Sequence, residues 1–236
     1  MKNRVIIALD FPKVTIAEEF LQLWRGKEKP FIKVGYQLFY QVGPDWVAKR
    51  KEEGYSIFLD LKLHDIPQTV ASAVSVLQRL QVDFLTIHAA GGKAMMQAAK
   101  EEAKNSALKL LAVTQLTSTD QHMLNQELQI AGTVEDSVLH LSQLAFQAGI
   151  DGVICSGQEV RKIKQVTSPN FLAVTPGIRP LGSAKDDQKR VVTPAMAMAA
   201  GADYLVIGRP ITRAASPLAV YRKVVEEIEQ QKGLKQ

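Results

Sequence analysis

Eight times along this chain a short run of β-branched and leucine-type residues gives way to a segment in which apolar residues recur every three or four positions. That alternation restricts the fold more than any other feature. The runs lie at residues 5–10, 31–35, 57–62, 84–88, 110–116, 152–156, 171–175 and 205–208. Several, such as LLAV and YLVIG, are apolar at consecutive positions, as expected of parallel strands covered on both faces by helices. The intervening TIAEEFLQLW, DWVAKRKEEG, QTVASAVSVLQRL, KAMMQAAKEEAK and TVEDSVLHLSQLAFQAG carry charges opposite an apolar stripe and read as crossover helices. Eight βα units in 236 residues predict an α/β protein built as a (β/α)8 TIM barrel, a single catalytic domain over residues 1–236. An open doubly wound sheet fits less well, because it uses fewer strands and often a glycine-rich first turn, and ALDFPKVT has no glycine.

Composition adds limits. With 46% apolar and 22% charged residues the chain can bury one sizeable core. The net charge of +5 comes from scattered Lys and Arg, with no basic run of the kind that marks a nucleic-acid arm. A small anionic ligand accounts for the excess as well as a polymer does, and a plain solvated surface accounts for it better than either. We expect no nucleic-acid partner. The single cysteine, Cys155, rules out an intrachain disulfide and a cysteine metal cluster and fits a reducing cytosol. The early apolar stretch VIIAL stops at Asp10, short of a signal-peptide core, and no apolar run reaches the ~18 residues of a membrane span. These features predict a cytoplasmic protein.

The polar residues that interrupt the strands predict the site. FLDLKLHDIPQT, residues 58–69, sets Asp60, Lys62 and Asp65 at the end of an apolar run. Strand alternation puts Asp60 and Lys62 on one face and Leu59, Leu61 and Leu63 on the other. An ion pair capping a strand is the plainest explanation. Against it, Asp10, Lys33, His88, Thr117 and the Gly208-Arg209 pair also fall at or near strand ends, and a barrel builds its site at the C-terminal ends of its strands. Lys33 interrupts FIKVGYQLF, where an unpaired charge would be costly to bury, and Asp60 is its expected partner across neighbouring strands. Lys33, Asp60, Lys62 and Asp65 would then form an alternating array. Two unit charges 4 Å apart interact by roughly 4 kcal/mol at an effective dielectric near 20, so a further carboxylate beside Asp60 would be strongly resisted.

TPGIRP after the seventh run and VIGRPIT after the eighth both place glycine beside arginine, a pattern suited to an anion. Residues 117–133 and 177–193 exceed ordinary βα loop lengths and are expected over the site. His64 reads as a helix-start or packing residue, and His88 as either a site-lining or a satisfied strand-end histidine. His122 and His140 lack partners at metal-ligand spacing, so no metal is expected.

Taken in order, IIALDF, FIKVGYQLFYQVGP, FLDLKLHDIPQTV, HAAGGKAMM, LLAVTQLTS, DGVICS, VTPGIRP and VIGRPIT resemble the bacterial orotidine 5′-monophosphate decarboxylases over nearly the whole chain. The resemblance implies a homodimeric barrel that converts orotidine 5′-monophosphate to UMP and carbon dioxide, the last step of UMP biosynthesis, with no metal or organic cofactor. It gives Lys62 the role of proton donor to C6 and Asp60 that of the carboxylate beside the departing one. Asp65 resembles a residue that enters the neighbouring subunit's site, with Thr69 close to it. Lys33 and Asp10 match residues that hold the ribose and the array. Thr117 matches the position near the pyrimidine, with adjacent Ser118 an open alternative. Arg179 and Gln188 match ligand contacts in a closing lid, and Gly208 and Arg209 match a phosphate site.

Two other readings stay open. A metal-dependent keto-sugar-phosphate decarboxylase shares the D-x-K-x-x-D element, but would be expected to carry an acidic residue at Lys33 and a shorter loop after the seventh strand. A non-catalytic phosphate-binding barrel acting through RNA or protein contacts is opposed by the intact Asp60, Lys62 and Asp65.

Overall fold

The computed structural model describes residues 4–180 and 191–233. Eight parallel strands close in sequence order: β1 Val5–Ala8, β2 Phe31–Gly35, β3 Ser56–Leu63, β4 Phe84–His88, β5 Lys109–Val113, β6 Gly152–Ile154, β7 Leu172–Thr175 and β8 Tyr204–Ile207, with β8 pairing back onto β1. The helices are α1 Val14–Gln22, α2 Tyr36–Glu52, α3 Pro67–Leu77, α4 Gly92–Ala103, α5 Val134–Gln147, α6 Val160–Val166, α7 Pro194–Ala200, α8 Arg209–Thr212 and α9 Pro217–Gly233. This is the expected (β/α)8 barrel.

Strand alternation divides the apolar residues into two cores. Inward, Ile6, Phe31, Phe58, Phe84, Leu111, Val174 and Val206 fill the barrel. Its lower part is closed by aromatic rings, with Phe31 and Phe84 centred 5.1 Å apart and Phe84 and Tyr204 5.0 Å apart. Outward, Ile7, Ile32, Leu59, Leu85 and Leu205 pack against helix faces that include Val70 and Val74 of α3 and Met95 and Met96 of α4. The apolar plug leaves only the C-terminal end of the barrel open to polar side chains.

The opposite rim carries a repeated brace. The aspartate just before β4, Asp83, accepts the Ile57 amide of β3 at 2.8 Å and the Lys51 ammonium of α2 at 2.8 Å. Asp151, before β6, accepts the Leu110 amide of β5 at 3.0 Å and Lys100 of α4 at 2.6 Å. Asp203, before β8, accepts the Ala173 amide of β7 at 2.8 Å and Lys164 of α6 at 2.7 Å. In each case the aspartate's own amide donates back to the carbonyl of that same strand residue. Each brace thus ties one strand, its following-strand neighbour and a helix into a unit. Before β2 the corresponding residue is Pro30.

Differences from the sequence reading are local. The helix expected from Asp45 begins at Tyr36 and bends at Gly43, whose φ of 69° a glycine adopts without strain. The segment 117–133 contains a π-helical turn, Met123–Glu127, anchored by buried Leu124. Thr133 then starts α5 with a capping box, accepting the Asp136 amide while the Asp136 carboxylate accepts the Thr133 amide. Residues 177–180 and 191–193 form the base of the other long loop, joined by an Ile178–Val192 bridge.

Candidate functional site

The inward positions that hold phenylalanines low in the barrel hold polar groups two residues higher. On β2, Lys33 follows Phe31; on β3, Asp60 follows Phe58; on β4, Thr86 follows Phe84. Lys33 Nζ lies 3.0 Å from Asp10 Oδ1 and 3.2 Å from Asp60 Oδ2, and Lys62 Nζ lies 2.8 Å from Asp60 Oδ1. The order is therefore Asp10, Lys33, Asp60, Lys62. Gly35 is part of it, because a Cβ there would sit 3.1 Å from Lys33 Nζ and 3.3 Å from Asp10 Oδ1.

Lys62 does not reach Asp60 through plain strand alternation. Between Leu59 and Leu63 the β3 register shifts against β4, and Lys62 takes φ 50°, a left-handed conformation unusual for a lysine. Holding a non-glycine residue there costs about 1–3 kcal/mol. The Lys62 amide donates to Thr86 Oγ1 at 2.8 Å, and that hydroxyl donates to Asp60 Oδ1 at 3.0 Å. Leu61 and Leu63 pack on the outer core, as expected. Lys62 Nζ also sits over the Tyr36 ring, 5.5 Å from its centroid.

Burial works against the Asp60 charge, but Lys33, Lys62 and the hydrogen bonds from Lys62 and Thr86 outweigh it and hold the carboxyl below the usual range. For Lys33, burial works downward, and Asp60 and Asp10 more than compensate, so its pKa is raised. Asp60 and Lys33 are therefore both charged at neutral pH. His88 is pushed below the ordinary histidine range by burial, then by His64 and Lys62, with Asp60 opposing. Its ring lies against His64, centroids 5.4 Å apart, so His88 stands at the margin of the array as a neutral neighbour.

Above the array a cavity of about 830 Å³ is lined by Asp10, Lys33, Asp60, Lys62, Thr117, Arg179, Gly208 and Arg209, eight of the residues expected from the sequence. Thr117 lines it and Ser118 does not. Arg179 is buried at the base of the loop after β7, and Arg209 opens the single turn of α8 directly after β8. Arginines from β7 and β8 thus occupy one side and the lysines of β2 and β3 the other.

Asp65 does not join the array within its own chain. Within this chain its place is taken by Asp10, and Asp65 forms no ion pair among the described residues. Once β3 ends at Leu63 the chain turns outward, residues 64–69 are exposed, and Asp65 Oδ1 accepts the Ile66 amide at 2.6 Å. Thr69 is also exposed, on α3, and does not line the cavity. Gln188 lies outside the described residues. Sequence reasoning missed Thr86 and Tyr36. A threonine in a β-strand and a tyrosine at a helix start are each too common to stand out, and only the two-residue spacing from Phe84 marked Thr86 as inward-facing.

Comparison with known proteins identifies the family. Residues 3–224 match the model of the Orotidine 5′-phosphate decarboxylase / HUMPS family. The orotidine 5′-phosphate decarboxylase of Streptococcus pneumoniae (strain Hungary19A-6) is 50% identical over 226 residues, 96% of this chain and 97% of the relative. That of Streptococcus pneumoniae serotype 19F (strain G54) is 51% identical over the same length. Among solved structures, the orotidine 5′-phosphate decarboxylase of Lactobacillus acidophilus aligns with a TM-score of 0.85 at 40% identity, covering 96% of this chain and 99% of that one. A conserved protein of Geobacillus kaustophilus aligns with a TM-score of 0.84 at 44% identity, covering 95% and 99%. On sequence and fold alike, the chain belongs to the orotidine 5′-phosphate decarboxylase family.

Proposed function

We propose that this chain decarboxylates orotidine 5′-monophosphate to UMP and carbon dioxide, the last step of UMP biosynthesis, with Lys62 delivering the proton to C6. The observation that carries the reading is the Asp10–Lys33–Asp60–Lys62 array beneath a cavity bordered by Arg179 and Arg209. The phosphate would lie toward Gly208 and Arg209, leaving the pyrimidine over Asp60 and Lys62 with Thr117 beside it.

The chemistry follows from the charges. A substrate carboxylate at C6 meets the ionised Asp60, which opposes it and is indifferent to neutral carbon dioxide. As the C6–carboxyl bond breaks, its electron pair stays on C6, where no adjacent carbonyl can delocalise it. The Lys62 ammonium stabilises that developing charge and transfers a proton to C6, leaving a neutral amine that solvent reprotonates. Lys33 fixes Asp60 from the other side. Contacts to the remote phosphate contribute through organisation of the reacting centre. The two ammonium groups supply the positive charge, so the reaction is expected to need neither metal nor organic cofactor.

The test is the loss of orotidine 5′-monophosphate absorbance with EDTA-treated wild type and with Lys62→Ala. Metal-free turnover, reduced by about 10²–10⁴-fold or more in the variant, is expected. A folded wild type that is inert on this substrate and decarboxylates a keto-sugar phosphate with magnesium would overturn the reading.

The working unit is a homodimer in which Asp65 and Thr69 reach the neighbouring site. Supporting this, residues 64–69 project from the barrel mouth, and Tyr40 and Ile66 are 82% and 66% exposed. Apolar side chains so exposed near a site are suited to burial against a second copy. Cys155, the single cysteine, is buried and can form no intrachain disulfide, which suits a cytosolic setting, and no helix among the described residues is long and apolar enough to cross a membrane.

A further inference from the structure

Four atoms close a ring around the reacting end of β3. Lys62 Nζ donates to Asp60 Oδ1 at 2.8 Å, Thr86 Oγ1 donates to the same oxygen at 3.0 Å, and the Lys62 amide donates to Thr86 Oγ1 at 2.8 Å. Lys62 is therefore held twice, at its backbone root by Thr86 and at its ammonium tip by Asp60, and Asp60 is tied to the same hydroxyl. We propose that Thr86 is a positioning residue of the reaction, its hydroxyl fixing the left-handed bulge that aims Lys62 while it orients the Asp60 carboxylate.

Three observations carry this. First, Thr86 is wholly buried, and a hydroxyl there uses one donor and one acceptor on the two groups assigned to the chemistry. Second, the Lys62 amide lies where the β3–β4 register shifts, so the ladder bond a regular strand would have made is replaced by the side chain of Thr86. Third, Lys62 keeps a positive φ without being glycine, a conformation that relaxes unless something outside the residue holds it. A valine of the same shape would fill the space and make neither bond. The lysine would still be present and charged, but displaced, and misplacement of a reacting group by about 1 Å costs on the order of 10²-fold.

The inference rests on the proposed decarboxylation, and its test separates the two. Thr86→Val and Thr86→Ser are compared with wild type for turnover of orotidine 5′-monophosphate, and hydrogen exchange of the Lys62 amide is measured in each. Thr86→Val is expected to lower kcat by about 10- to 100-fold with KM changed less than about 3-fold, because the proposed phosphate contacts, Arg179 and Arg209, follow β7 and β8 and are not bonded to Thr86. Its Lys62 amide exchanges faster. Thr86→Ser, which restores the hydroxyl, is expected to recover most of kcat and the slow exchange. A Thr86→Val enzyme with wild-type kcat, or a serine variant as impaired as the valine one, would overturn the proposal. If wild type itself turns nothing over, the decarboxylase reading fails, and amide exchange alone decides: unchanged exchange in Thr86→Val removes the positioning role, and accelerated exchange that serine reverses sustains it. Should the valine variant not fold, Thr86→Cys, with its weaker donor and acceptor, takes its place under the same criteria.

Discussion

Asp60 lies between two ammonium groups and is the residue whose removal disturbs most. Truncating it leaves Lys33, which is 8% exposed, with Asp10 as its remaining ionic partner and places two ammonium groups near each other. Asp60→Ala is expected to cost about 3–5 kcal/mol in urea unfolding, as breaking a buried pair does. The pH dependence has a fixed sign. The folded Asp60 pKa is lowered, so its stabilising contribution is complete above the ordinary carboxylate value of about 3.9 and is lost as pH falls through the folded value. Asp60→Asn should lack that slope, and the stability gap between it and wild type should narrow as pH falls below 4. For Lys33 the sign reverses: its contribution is present below about 10.4 and lost as pH rises through its raised value. His88 is lowered, so its part is full above about 6.5 and declines below it, and His88→Gln should flatten wild-type stability loss between pH 6.5 and 5. Equal slopes in variant and parent would remove His88 from this account. Asp60, Lys33 and Lys62 were legible because a charge within an apolar run has few explanations other than a partner. The bulge that aims Lys62 was not, since its sequence, D-L-K-L, is that of an ordinary alternating strand and the positive φ arises from tertiary bonds to β4.

At the scale of elements, the braces of Asp83, Asp151 and Asp203 separate stability from chemistry. They sit at the N-terminal ends of the strands, and the cavity is at the other end. Asp151→Ala would leave the Leu110 amide without its carboxylate acceptor and Lys100 without its partner. The expected cost is about 1–3 kcal/mol in urea unfolding, with kcat/KM per folded molecule unchanged. Loss of kcat/KM without loss of stability would show that the two ends are coupled. All eight strands and most crossover helices were readable from periodicity, because helix-covered parallel strands impose continuous apolar runs. The braces were not, since the three aspartates occur at unequal spacings and an aspartate before a strand looks like ordinary turn chemistry. The π-helical turn at Met123–Glu127 also left no signal, its wide register matching neither the helical nor the strand period.

For the whole molecule, a shared site makes a prediction that no single-chain model makes. Lys62→Ala and Asp65→Ala chains are each expected to be nearly inactive, and mixing them under conditions of subunit exchange should restore a measurable fraction of activity. In a mixed dimer one site receives both defects and the other receives neither. Exchange without recovery would confine Asp65 to its own chain. A second consequence lies in the closure of β8 onto β1. Asp10 is contributed by the first βα unit and Arg209 by the last, so the two sides of one cavity are made at opposite ends of translation. A ribosome that has synthesised seven strands has already produced every member of the lysine–aspartate array, yet β1 still lacks its β8 neighbour and Arg209 is still to be made. A chain truncated before β8 is therefore expected to be inactive rather than weakly active, because its barrel cannot close and its cavity lacks Gly208 and Arg209.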